Sequence, residues 1–171
     1  MPKKVFANVV DHRVYDDGVN IEDVTSITLP DLEFTKTEFD VAGMVGKLNM
    51  ANPAHLEAMS YTIAHNNGLE GERLATPDIH QHEFRLMRQN LDVPDARLEY
   101  DSVKYRLAGQ MVKESGGSIE RGNPLGSTVE YSCQRFIKEI AGKIVVHVDI
   151  PAGIVIINGV DYGAVSSILD G

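Results

Sequence analysis

Apolar and polar residues alternate with a period of two over much of this chain, and that alternation sets the expected architecture. Over 58–65, Met59, Tyr61 and Ile63 fall on one side and the small set Ala58, Ser60, Thr62 and Ala64 on the other, which predicts a half-buried strand with a flat second face. Over 97–112 the apolar phase runs through Leu98 and Tyr100, then switches to Val103, Tyr105, Leu107 and Met111. An extra residue near Asp101-Ser102, as in a bulge, would re-aim the side chains in this way. The next strand repeats the switch: Val129, Tyr131 and Cys133 share a face, and the phase crosses to Phe136 and Ile140. Ala141-Gly142-Lys143 then closes a hairpin onto Ile144, Val146, Val148 and Ile150, with Val145, His147 and Asp149 pointing away. Bulged strands joined by tight turns predict a strongly curved sheet, a β-sandwich or barrel.

A different period marks one segment. Thr76 suits a helix cap, Pro77 suits the first helical position, and Ile79, Glu83, Leu86, Met87 and Leu91 follow helical spacing until Pro94. The spacing predicts a helix over about 76–91, flanking the sheet. Turn signals stand at Asp17-Gly18, Asn67-Gly68, Ser115-Gly116-Gly117-Ser118 and Asn158-Gly159, where tight turns need positive φ. The ends, about 1–20 and 151–171, lack strong alternation apart from the Ile154–Ile157 run, and read as arms lying on neighbours. With 171 residues and no internal repeat, the whole chain is expected to form one domain.

One stretch is costly to leave in water. The apolar strand ending Ile27-Thr28-Leu29-Pro30-Asp31-Leu32 leads to Ala42-Gly43-Met44-Val45-Gly46, and Val41, Met44, Val45, Leu48 and Met50 are too apolar for a free loop. Gly43 and Gly46 suit a bent tip. The segment at about 40–55 is therefore expected to project as a hairpin and to be covered by another chain.

Charge and motifs narrow the chemistry by exclusion. Sixteen Lys and Arg against 25 Asp and Glu give a net charge of −9, which is unfavourable for gripping phosphates, so no sequence-specific nucleic-acid binding is expected. The apolar run after Met-Pro-Lys-Lys is broken at Asn8 and ends at Asp11-His12-Arg13, short of a signal h-region or a membrane span, so no membrane insertion is expected. Cys133, the only cysteine, sits within an alternating strand and reads as a buried structural thiol. Neither nucleotide-binding glycine pattern occurs, and Ser115–Ser118 lacks the strand-elbow-helix setting of a nucleophile. The pairs Asp16-Asp17 and Glu22-Asp23 read as solvated charge in loops. His80-Gln81-His82-Glu83 has the look of a cupin's paired ligands, but two residues apart on the expected helix would face different ways, which argues against a shared metal. His55, His65 and His147 are isolated and read as surface or interface imidazoles. No catalytic, cofactor or metal site is expected, and the chain does not read as an enzyme.

Four blocks occur in a telling order: Thr28-Leu29-Pro30-x-Leu32; Gly43-Met44-x-Gly46; Cys133-x-x-Phe136 with Gly142-Lys143 and Asp149; and Val155–Val160 with Asn158-Gly159. Together, from Phe6 to about Tyr162, the chain resembles the major tail tube protein of contractile-tailed bacteriophages and of phage-tail-like bacteriocins. The resemblance implies a β-sandwich or barrel with a flanking helix, related in fold to the hexameric tube protein of type VI secretion. It implies rings of six copies stacked into a hollow tube inside a contractile sheath, a conduit for DNA or for membrane puncture. Expected partners are further copies of the chain, the sheath protein, baseplate or tail initiator proteins, and a tape measure protein in the lumen, within a virion or tail-like particle assembled in the host bacterial cytoplasm. On this reading Val41, Gly43, Met44, Val45, Gly46, Leu48 and Met50 form the ring-stacking contact. Ala58, Ser60, Thr62 and Ala64 face the lumen, because a core would disfavour so small and polar a set while a water-filled channel would not. An acidic lumen would let DNA slide without sticking. The competing readings are a small-molecule-binding β-barrel, which needs an apolar pocket and a monomer, and a metal-dependent barrel enzyme.

Overall fold

The computed structural model describes residues 4–163, and among these nearly all regular structure is antiparallel β. The organising strand is β9 (Ser127–Ile140). Along one edge it pairs with β8 (Arg97–Ser115), which passes the sheet on to β7 (Ile79–Asp92), β1 (Lys4–Asp16) and β2 (Val19–Ile21). Its other edge is shared. Residues 127–133 pair with β6 (Met59–His65), which carries β3 (Val24–Thr28), while residues 135–140 pair with β10 (Lys143–Asp149), followed by β11 (Ile154–Ile157) and β12 (Val160–Asp161). One long strand feeding two branches on the same edge forces the sheet to bend around its own inner face.

The branch point sits at Gln134, which the β8–β9 ladder skips between Arg135 and Cys133. This is the phase crossing read from Cys133 to Phe136: the extra residue lets both be buried. Against the inner face pack Met59, Tyr61 and Ile63 of β6, Val14 of β1, Phe84 of β7, Val103 and Leu107 of β8, Val129 and Tyr131 of β9, and Val148 of β10. These side chains pack the centre of the inner face, and beside them lies an open groove lined by Ile27, Leu29, Phe84, Leu86, Val103 and Tyr105. Turns occur where expected: Asp17-Gly18, Ala141-Gly142 and Asn158-Gly159 each have positive φ at both residues, the geometry that joins twisted strands in two-residue hairpins.

The helix expected over 76–91 is instead β7. Its buried face runs His80, His82, Phe84, then Asn90 and Asp92, in strict period two. Because most of that face is polar, the alternation does not register as apolar, and Leu86, Met87 and Leu91 matched a helical spacing by coincidence. Among the described residues the one α-helix is α1 (Leu69–Glu72), followed by the 3₁₀ turn Arg73–Ala75, and Thr76 ends that turn rather than capping a helix. The 3₁₀ turn plugs the sheet with Leu74, which is buried and whose carbonyl accepts a hydrogen bond from Tyr131.

The expected N-terminal arm is also corrected. Residues 4–16 form β1, laddered along β7, with two register shifts, between Phe6 and Asn8 and between Val9 and Asp11. Two bulges in one strand break the alternation twice, which is why it could not be read as a strand. At the other end, residues 154–161 belong to the sheet as β11 and β12, so the expected C-terminal arm shrinks, and its residues 164–171 lie outside the described residues.

The bulge expected near Asp101-Ser102 is absent: the β7–β8 register runs unbroken from Ile79–Gln110 to Asp92–Arg97. What changes there is the polarity of the two faces. From Val103 onward the inner face of β8 is apolar; before it, where β9 no longer lies alongside, the inner face carries Glu99 and Asp101. Arg88 grips Asp101 through two hydrogen bonds of 2.9 and 2.7 Å, which holds that carboxyl below the usual range, and Lys4 pairs with Glu99. The outer face becomes apolar instead, with Val5, Leu91 and Leu98 exposed in one cross-strand row and Tyr100 beside it.

Candidate functional site

Between Leu32 and Glu57 the chain leaves the main sheet. β4 (Phe34–Phe39) and β5 (Leu48–Leu56) pair with each other as a separate two-stranded sheet, so the expected protruding loop is a longer hairpin. Its base is anchored because Phe34 and Leu56, cross-strand partners, pack with Leu29 and Leu32 against the core, and the Glu57 N–H donates to the Glu33 carbonyl at 2.8 Å. Pro30 is buried at this junction, and its ring removes a donor that would have no strand partner there. Beyond the base nothing covers the hairpin. Phe39, Val41, Met44, Val45, Leu48 and Met50 are all exposed, Val45 completely so. Gly43 takes a φ of +98°, a backbone conformation in which a side chain would be strained.

The second set named from the sequence also has a defined place. In β6 the buried residues Met59, Tyr61, Ile63 and His65 alternate with Ser60, Thr62 and Ala64, which face out, and Ala58 precedes the strand and is exposed. Their cross-strand partners on β9 extend the same character: Ser60 lies opposite Ser132, Thr62 opposite Glu130 and Ala64 opposite Thr128. Further across the sheet this face carries Glu83, Arg85 and Arg106, with Arg106 bonded to Glu139 at 2.9 Å. It is a broad, solvated, mixed-charge surface.

A third cluster was missed. His80 and His82, on one strand, share a face after all, their rings stacked 5.3 Å apart and within 2° of parallel. Asp16, read from the sequence as solvated, is 2% exposed and sits directly across from His82 in the β1–β7 register. His80 donates from Nδ1 to Asp16 Oδ1 at 2.9 Å and from Nε2 to the Thr76 carbonyl at 2.8 Å. Burial works against charge on His80, yet those two bonds and the carboxylates of Asp16 and Asp17 raise its pKa above the ordinary histidine value. His82 is pushed down to about 3 by burial, with the neighbouring His80 adding to the effect. The signal available was His-x-His at strand spacing, concealed by the competing helical pattern.

The remaining single residues divide. His65 is 0% exposed, not a surface imidazole: its Nδ1 accepts from the Asn67 N–H at 3.1 Å, and Asp23, which also accepts from the Gly68 N–H, lies beside it. A Cβ at Gly71 would fall 2.4 Å from His65 Nδ1, so only glycine fits. His55 is exposed and His147 half-buried. Cys133 is buried as expected, and burial pushes its thiol up to about 12, which leaves it unreactive at neutral pH. Among the described residues no helix is long and apolar enough to cross a membrane.

The family model of phage tail tube protein FII matches residues 7–165. This chain belongs to the phage tail tube family. It is accordingly a structural component of a tail tube. Among solved structures, the tube chain shares its fold with a chain of the PVC extracellular contractile injection system, from the sheath–tube complex in the extended state, at 11% identity and a TM-score of 0.52, over 77% of this chain and 90% of that one. A chain of the anti-feeding prophage (AFP) baseplate aligns at 12% identity with a TM-score of 0.47, over 75% and 90% of the two chains. No curated protein matches the tube chain by sequence.

Two of the blocks that carried the resemblance have a mechanical task in the tube chain. Thr28–Leu32 is the anchored exit to the hairpin. Asp149 closes β10 against β9, accepting from Arg135 Nε at 2.7 Å and from the Ala152 N–H at 3.2 Å. Burial opposes ionisation of Asp149, but these donors and the Arg135 charge hold its carboxyl below the usual range.

Proposed function

We propose that this tube chain assembles into six-membered rings that stack, with the β4–β5 hairpin packing on the next ring and the outer face of β6 lining the lumen. The observation that carries the reading is the hairpin: an anchored, otherwise uncovered two-stranded sheet that holds Val41, Met44, Val45, Leu48 and Met50 in solvent. A head-to-tail contact needs two different patches, one on each side of the joint. The exposed row Val5, Leu91 and Leu98, with Tyr100, supplies a second patch at the end of β1, β7 and β8, where the sheet has turned its apolar side outward.

On the same reading the sheath lies outside the tube, baseplate or initiator proteins start it, and a tape measure protein occupies the lumen until DNA or a puncturing device replaces it. Support comes from the family and, for the sheath, from the fold shared with a chain of a sheath–tube complex. The role is structural rather than catalytic, within a virion or tail-like particle built in the host bacterial cytoplasm. Electron microscopy of the purified chain across concentration, with and without a baseplate template, tests it. Closed six-membered rings and stacked tubes are expected; rings of another fixed number, or no assembly on a template, would overturn it.

Lumen placement has its own test. Cysteine introduced at Ser60 or Thr62, both on the outward face, is expected to react with bulky maleimides quickly in monomers and at least about tenfold more slowly in assembled tubes, since a channel restricts access. Equal rates in the two states would place that face elsewhere.

A further inference from the structure

We infer that Asp16, His80 and His82 form a binding site for a divalent transition-metal ion of the zinc class, which pins β1 to β7 inside the subunit.

The geometry begins with register. Asp16 and His82 are opposite each other across the β1–β7 ladder, and His80 follows two residues away on the same face, so three strong ligands of two types converge without any loop having to fold over them. Asp16 Oδ1 lies 2.9 Å from His80 Nδ1 and 3.5 Å from His82 Nε2, and the three residues offer ligand atoms all within 4.8 Å of one another. Bonds of about 2.0–2.1 Å in a tetrahedral site put ligand atoms roughly 3.4 Å apart; the Asp16–His82 pair already has that spacing, and the Asp16–His80 pair, at 2.9 Å, has to open slightly.

The outer partners match as well. A metal-bound histidine is held by a hydrogen bond from its other nitrogen, commonly to a carbonyl or to another polar group. His80 Nε2 donates to the Thr76 carbonyl at 2.8 Å, and His82 Nδ1 lies 2.7 Å from the Tyr61 hydroxyl oxygen. That hydroxyl is seated by the absence of a side chain at Gly109, where a Cβ would fall 2.7 Å from it.

One atom decides between this and a purely structural ion pair. Without a metal, His80 can be doubly protonated and paired with Asp16, and both its nitrogens are satisfied. His82 Nε2 is not: it is buried, 3.5 Å from Asp16 Oδ1, and has no hydrogen-bond partner. A buried polar atom without a partner is expensive. An ion between the three groups would make that nitrogen a ligand, with the His82 proton on Nδ1 donated to Tyr61, and His80 would release its Nδ1 proton to solvent. Two imidazoles and a single carboxylate suit zinc and its neighbours; calcium and magnesium prefer all-oxygen cages.

The test uses the full chain, made without a polyhistidine tag, stripped with chelator and titrated with zinc or with cobalt(II). Expected are saturation at one equivalent, a rise in the melting temperature, and the visible absorption of tetrahedral cobalt. Asp16→Asn and His82→Gln are each expected to weaken binding by more than the roughly 10–100-fold that loss of a supporting partner brings, while His55→Gln leaves it unchanged. Should the core variants fail to fold, the unmodified chain decides alone, through the presence or absence of the cobalt band and the zinc-induced shift. No band and no shift, binding undiminished in a folded Asp16→Asn or His82→Gln chain, or binding lost in His55→Gln, would overturn the assignment.

Discussion

Met44→Asp and Val45→Asp are expected to abolish tube elongation while leaving the monomer within roughly 1 kcal/mol of its parent stability, the usual range for exposed sites. Both side chains stand in solvent at the tip of a hairpin whose only packing on the domain is at its base, through Phe34 and Leu56. In the assembled tube the same side chains would each contribute about 1.5–3 kcal/mol by burial, before ordering costs, in a contact repeated around every ring. A carboxylate placed there loses that gain and must also be desolvated without a partner. Thermal or denaturant unfolding measures the first quantity, and sedimentation with electron microscopy the second. If either substitution unfolds the monomer, the tip belongs to the intramolecular core and the stacking assignment fails. If tubes still elongate, another surface carries the stacking.

Phe84→Ala is expected to cost about 3–5 kcal/mol, enough to unfold much of a marginally stable domain, whereas Met87→Ala should change stability by no more than about 0.5 kcal/mol. Phe84 is 1% exposed and touches the heart of the core, its ring centroid 6.2 Å from Tyr61 and 5.9 Å from His82. Met87, three residues along the same strand, points the other way and is 41% exposed. On a helix with Ile79, Glu83, Leu86, Met87 and Leu91 at helical spacing along one face, Met87 would be a core residue and its truncation would be costly. Denaturant midpoints of the two variants therefore check the strand assignment of 79–92 directly. Comparable losses at both positions would contradict it.

The two substitutions probe opposite ends of what could be read from residues alone. The stretches with apolar and small or polar residues in clean alternation, 59–65 and 127–133, were readable because each has one buried and one wet face. The turns at Asp17-Gly18 and Asn158-Gly159 were readable because few residues tolerate positive φ. The uncovered hairpin tip could be recognised because Val41, Met44 and Val45, exposed in the structure, gain nothing locally from being apolar.

What only the tertiary structure decided has one physical theme: burial of polar groups and exposure of apolar ones, each correct only in context. The buried face of β7 is built from His80, His82, Asn90 and Asp92 around Phe84, and a polar side chain enters a core only when a distant residue such as Asp16 or Tyr61 is there to bond it. No local pattern in either segment announces the other, because 64 residues separate Asp16 from His80. At the far end of β8 the faces exchange polarity because β9 stops opposite Val103, and the length of a neighbouring strand is invisible from within the strand it covers. In β1, two register shifts erase the alternation that would have revealed it. The sequence by itself determined a curved, mainly β subunit with one apolar projection; the pairing of its strands determined which polar groups meet inside and which apolar ones are left facing out.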